Sequence, residues 1–138
     1  LVSLRVDEGL FDADETLNYL ITHSGGHIRD LIRLLNYSLA ETQGQKQIDK
    51  VIADTAISRL GSEYRRLIHQ DDYALLVSID RSEKDYTPIK DETRRMLYDL
   101  VLLEYNSFWW QSHPVVQKLS AYQKALSNTS QQKHRDSD

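Results

Sequence analysis

The run Ser24-Gly25-Gly26-His27-Ile28-Arg29-Asp30-Leu31-Ile32-Arg33-Leu34-Leu35 constrains this chain more than any other segment. Two adjacent glycines end one helix and release the next, because glycine adopts the left-handed backbone that closes a helix without a Cβ penalty. An arginine then falls in the first turn of the new helix, ahead of an apolar stripe. On the N-terminal side, Asp12 or Asp14 can cap a helix that places Leu17, Leu20 and Ile21 on one face. On the C-terminal side, a second helix is expected from about His27 to Thr42. Its buried stripe is read as Ile28, Leu31, Leu35 and Leu39, widened by Ile32 and Leu34. Gly44 ends it. Asp49 can cap a third helix carrying Val51, Ile52, Ala56, Leu60, Tyr64 and Leu67, with Gly61 placed to divide it. Three amphipathic helices in about 60 residues make a small bundle.

From about Asp71 the pattern changes. Asp71-Asp72 can cap a helix bearing Tyr73, Leu76, Val77 and Ile79, and Pro88 interrupts the polar stretch that follows. Asp91 can cap a helix over 91–100 carrying Met96, Leu97 and Leu100. Val101–Tyr105 then reads as a strand, Asn106-Ser107 as a turn, and Phe108–Gln111 as the returning strand. Pro114 suits the first position of a final helix running to about Ala125. Helix, helix, strand, turn, strand, helix is the order of a winged helix. Residues 127–138 contain no aliphatic or aromatic side chain large enough to build a core and are expected to be disordered. Val2, Leu4 and Val6 alternate with polar neighbours as a strand does. The expected architecture is therefore mostly α: a helical bundle over 1–68, a winged helix with a two-stranded β wing over 69–126, and a tail over 127–138.

Composition bounds the function. The 138 residues are 40% hydrophobic and 28% charged, with no cysteine. Disulfides and thiolate metal sites are thereby excluded, and a cytoplasmic location is the expectation. No apolar run approaches the ~20 residues of a membrane span, so no membrane partner is expected. The chain starts with Leu, which is read as a fragment cut from a longer protein. Residues 1–60 carry 6 basic and 9 acidic groups, and residues 61–126 carry 9 and 10. Neither part has the basic excess of a nucleic-acid module.

The motif and its surroundings resemble the second-sensor segment in the lid of AAA+ P-loop ATPases, most closely the origin-recognition and initiator-loader branch and its bacterial relatives. The order Gly-Gly-x-x-Arg-x-Leu before an apolar helix carries the likeness. Leu103-Glu104-Tyr105-Asn106, followed by Trp110-Gln111-Ser112-His113-Pro114, is similar to the wing of many bacterial P-loop ATPases. The resemblance implies that Arg29, with Gly25 and Gly26, senses the terminal phosphate of a nucleotide held by an ATPase core on the N-terminal side. ATP and Mg would belong to the intact parent, with no cofactor held by this fragment. A guanidinium and a helix N-terminus both suit phosphate oxygens. The chain itself has no Gly-Lys dipeptide and no apolar Walker B strand, so it is not expected to be an enzyme and has no catalytic residue.

The winged half offers Lys90, Arg94 and Arg95 beside the expected recognition helix, and Trp109 and Trp110 on the wing, as candidate DNA or partner contacts. Asp91, Glu92, Asp99 and Glu104 weigh against DNA. The clustered aromatics favour a protein partner. A stand-alone DNA-binding regulator and a pure protein-docking module are the alternatives. A homo-oligomer of the fragment, through the partly apolar surface that would contact the core, is a further expectation. His23 and His27 have the spacing of a helical metal pair, but the intervening glycines break that helix, so no metal site is expected.

Overall fold

A computed structural model of the chain describes residues 8–82, 90–106 and 109–135. The expected strand at residues 2–6, Pro88, and the wing-tip residues Ser107 and Phe108 lie outside them. The described part is mostly helical, with seven α-helices and one two-stranded antiparallel sheet near the C-terminus. This is the helical bundle followed by a β wing that the periodicities call for. The chain divides into two compact units, Leu1–Ser62 and Glu63–Asp138, a few residues ahead of the expected boundary at 68.

In the first unit, α1 spans Asp14–His23, α2 Ile28–Glu41, and α3 starts at Lys50 and ends at Arg65, just past the unit boundary. Asp49 caps α3 as expected: its Oδ1 accepts from the Ile52 N–H at 2.9 Å. Gly61 does not divide α3, which runs through it without a break. The face of α3 turned inward is Ile52, Ala53, Ala56, Ile57 and Leu60, with both alanines fully buried. The segment ahead of α1 is held by main-chain bonding: Ile48 N–H donates to Leu10 O and Asp12 N–H to Ile48 O, flanking a parallel bridge between Phe11 and Ile48.

The stripe read for α2 is partly corrected. Leu31, Leu34 and Leu35 are buried, but so are Asp30 and Ser38, while Ile28, Ile32 and Leu39 are exposed. The inward face is thus rotated by about 70° from the apolar stripe, at 100° per residue. The two buried polar groups are satisfied: Ser38 Oγ donates to Leu34 O at 2.8 Å, and Asp30 accepts from Arg33 at 3.2 Å. Buried polar groups persist where such partners exist.

In the second unit, α4 (Asp72–Arg81) packs on β2 and on α7, and α5 (Asp91–Tyr98) packs on β1. Lys90 is the N-cap residue of α5, with Asp91 one position inside the helix rather than capping it. β1 (Leu102–Asn106) pairs with β2 (Trp109–Ser112), Leu102 opposite Ser112 and Glu104 opposite Trp110, with a bulge between Glu104 and Asn106. The expected final helix is two: α6 (Pro114–Gln117) and α7 (Ser120–Arg135). Pro114 takes the first helical position, and the buried His113 caps it by accepting from Val115 N–H.

The expected disorder from residue 127 is not found over 127–135, which are helical. The helix is anchored there from outside. Arg81 Nη2 donates to Ser130 Oγ at 2.7 Å and to Leu126 O at 3.3 Å. A polar segment needs no core of its own when a neighbouring helix supplies such bonds.

Candidate functional site

The first candidate site is the N-terminal turn of α2. Gly25 and Gly26 both take left-handed backbone, with φ of 66° and 77°. A Cβ built on Gly26 meets no atom within 4 Å, so the glycine there serves backbone conformation and not close packing. His27 follows as the N-cap residue, and its side chain makes no capping bond. The first turn of α2 is therefore not closed by the side chain of its own N-cap residue. Arg29 stands in this turn. It is exposed and makes no hydrogen bond or ion pair among the described residues.

The neighbouring arginine has a different fate. Arg33 holds Asp30, whose side chain is fully buried, and also bonds Tyr37. Burial pulls the Arg33 guanidinium down, but its bonds to Tyr37 and Asp30 outweigh that and leave it above its ordinary value. Arg59 of α3 lies over the Tyr37 ring at 4.2 Å. Arg33 is thus tied into the bundle, and Arg29 is the arginine of this helix presented outward. Beside it, Ile28 and Ile32 are about half exposed.

The second candidate site is α5 with the wing. Lys90 is exposed. Arg94 is exposed and among the described residues pairs with the solvated Asp91, at 4.0 Å, a pair that salt and solvent screen almost completely. Arg95 is not presented to a ligand. Its Nη2 bonds the buried Asp72 at 2.5 Å and its Nη1 donates to Leu67 O at 2.9 Å, so it ties α5 to the start of α4. Asp72 accepts in addition from His69 N–H. Of the two arginines read as contacts, one is structural. No local signal could show this, because the partner carboxylate is 23 residues away.

On the wing, alternation separates the two tryptophans as strand geometry requires. Trp109 is 49% exposed and Trp110 is half-buried. Trp109 stacks on Tyr105, itself 42% exposed, with ring centroids 4.9 Å apart and planes at 32°. Partial burial holds the Tyr105 phenol above its ordinary value, so it is neutral at physiological pH. Tyr98 on α5 is also strongly exposed.

Sequence reasoning missed one organising group. Asp80, at the end of α4, accepts from Ser112 N–H at 2.7 Å and from Tyr122 O–H at 2.5 Å, joining α4, β2 and α7. It holds the wing's return strand in place. Among the described residues, no group of three His or acidic side chains is placed to hold a metal ion, and no helix is long and apolar enough to cross a membrane. No family model, curated protein or solved structure matches the chain.

Proposed function

We propose that the chain is the C-terminal regulatory part of an AAA+ type ATPase, in which Arg29 senses the phosphate of a nucleotide held by a core outside this chain. One observation carries the reading: an exposed arginine, unpaired among the described residues, in the first turn of a helix whose N-cap side chain makes no capping bond, directly behind two left-handed glycines. A guanidinium and a helix N-terminus are complementary to a terminal phosphate. ATP and Mg belong to the parent, and this chain supplies a sensor with no catalytic group. The exposed Ile28 and Ile32 flanking Arg29 suit an apolar surface that such a core would cover.

The winged helix then passes lid motion to a protein partner. Its exposed Tyr105–Trp109 pair favours protein over DNA, and the engagement of Arg95 with Asp72 removes one of the two arginines that a recognition helix would need. The test is Arg29→Ala in the protein extended on its N-terminal side to include the core. A marked loss of ATP turnover or nucleotide affinity is expected. Unchanged turnover and affinity end the sensor reading.

A further inference from the structure

We propose that Arg33 and Arg59, brought together on the side chain of Tyr37, form a binding site for the phosphate group of a small molecule. The site is built from α2 and α3 within the first unit. It goes beyond the sensor reading of Arg29 and does not depend on it.

Two cations meet on one aromatic side chain. Arg33, one turn before Tyr37 on α2, bonds its phenol and also the fully buried Asp30, at 3.2 Å. Arg59 of α3 lies over the Tyr37 ring, 4.2 Å from its centroid. Stacking engages the flat face of a guanidinium and leaves its donors, the in-plane N–H groups, to point past the ring. Arg59 is exposed and makes no hydrogen bond or ion pair among the described residues, so its donors are oriented by the ring and unspent. The Arg33 side chain is 30% exposed and therefore also open to solvent. Two guanidiniums with one carboxylate leave this group one positive charge in excess. A phosphate carries about −1.5 to −2 charges near pH 7 and offers three acceptor oxygens, enough for two guanidinium forks at once. A carboxylate has two oxygens, which a single fork satisfies. Both arginines touch the same side chain, so one anion is within reach of both. Because Tyr37 already orders them, little side-chain freedom is lost on binding.

The test uses the full chain at about pH 7.5, where phosphate is mostly dianionic, and at matched ionic strength. The probes are inorganic phosphate, AMP and acetate. Binding is followed by calorimetry and by the NMR signals of the arginine side chains. Phosphate is expected to bind and to shift the Arg59 signal, and acetate is not. Tighter binding of AMP would make a phosphate monoester the ligand, and binding of phosphate alone a free anion. Arg59→Ala should weaken phosphate about tenfold, the loss of a charge-assisted contact. Arg59→Lys, which keeps the charge but loses the fork, should weaken it less. Tyr37→Leu should weaken it although both charges remain, because the platform is gone. Arg29→Ala should leave it unchanged. Unchanged circular dichroism identifies the variants that remain folded, and the conservative Arg59→Lys carries the test if Arg59→Ala does not fold.

Acetate binding as tightly as phosphate overturns the proposal, since that is charge alone. Phosphate binding that is unaffected by both Arg59 substitutions also overturns it. If that binding is lost in Arg29→Ala, the anion sits at the start of α2, and the sensor reading stands while this one falls. Absence of phosphate and AMP binding overturns the site and leaves the sensor reading untouched, because there the nucleotide is held by a core outside this chain.

Discussion

Helices α2 and α5 each carry two arginines, and in each helix one arginine is presented to solvent while the other holds a buried carboxylate. The engaged residues are closely matched. The Arg33 and Arg95 side chains are 30% and 29% exposed, and their partners Asp30 and Asp72 are 0% and 5% exposed. Each aspartate also lies in the first turn of a helix, where the dipole favours negative charge. What differs is reach. Asp30 is three residues from Arg33 on the same helix, whereas Asp72 is 23 residues from Arg95 on another. The first pair adjusts one helix internally; the second joins two helices.

The sharpest way to break this comparison is to truncate both arginines. Arg95→Ala removes the tie between α5 and α4 and leaves a buried carboxylate without its cation. Removing one partner of a buried pair costs several kcal/mol, and here about 2–4 kcal/mol is expected. The readout is a lowered urea midpoint followed by the tryptophans of the second unit. Arg33→Ala should cost less, about 1–2 kcal/mol, because Asp30 keeps the support of its own helix turn. Equal losses would show that reach is irrelevant and burial alone decides.

These two pairs also mark what could be read from the chain. Asp30–Arg33 is a local pair, visible as a spacing of three on a helix. Asp72–Arg95 is invisible to any periodicity, and so Arg95 read as a ligand contact when it is a structural one. The same division runs through the fold. The helices, the antiparallel wing, the Asp49 cap and Pro114 at the start of α6 follow from local patterns. The inward face of α2 did not, because burial of Asp30 and Ser38 depends on bonds they make once folded, and apolar spacing credited Ile28, Ile32 and Leu39 instead. The helix past residue 127 was missed for the reason Arg95 was: its anchor, Arg81, is 49 residues from Ser130.

Asp80 extends the comparison to a carboxylate that joins three elements. Asp80→Ala leaves Ser112 N–H and the nearly buried Tyr122 phenol without their acceptor, and about 2 kcal/mol of stability should be lost. Tyr122→Phe, which removes only one of the two bonds, should cost less. The pair also sets an alkaline limit. Burial first, and then the bond and charge of Asp80, push the Tyr122 phenol well above its ordinary value of 10.0. Above that pH the unfolded chain has released this proton while the folded protein still holds it. The stabilisation is therefore complete below pH 10 and is lost as pH rises beyond it. In the Tyr122→Phe variant the alkaline fall should be shallower. Parallel alkaline curves for the two proteins would dissociate Tyr122 from the effect.

A smaller change tests the turn that presents Arg29. Gly26→Ala adds a methyl into open space at a φ of 77°, so its cost is backbone strain alone, about 1 kcal/mol. A loss near zero would mean that the turn relaxes easily, and a much larger one would mean that the alanine meets atoms that the open space beside Gly26 does not contain.

The least effect on stability is expected where the largest effect on function is proposed. Arg29 is exposed and makes no bond among the described residues, so Arg29→Ala should change the unfolding midpoint by less than about 0.5 kcal/mol. Arg94→Ala, removing the exposed arginine of the other helix, should be equally mild, since its contact with Asp91 is long and solvated. The two silent substitutions then separate functionally. In the protein extended on its N-terminal side, the proposed sensor role predicts that loss of Arg29 weakens the response to the terminal phosphate and that loss of Arg94 leaves it unchanged. If Arg29→Ala destabilises the isolated chain as much as Arg33→Ala does, Arg29 is a structural residue. An exposed arginine in the first turn of a helix would then owe its place to the fold, and the outward-facing member of each pair would no longer mark a site.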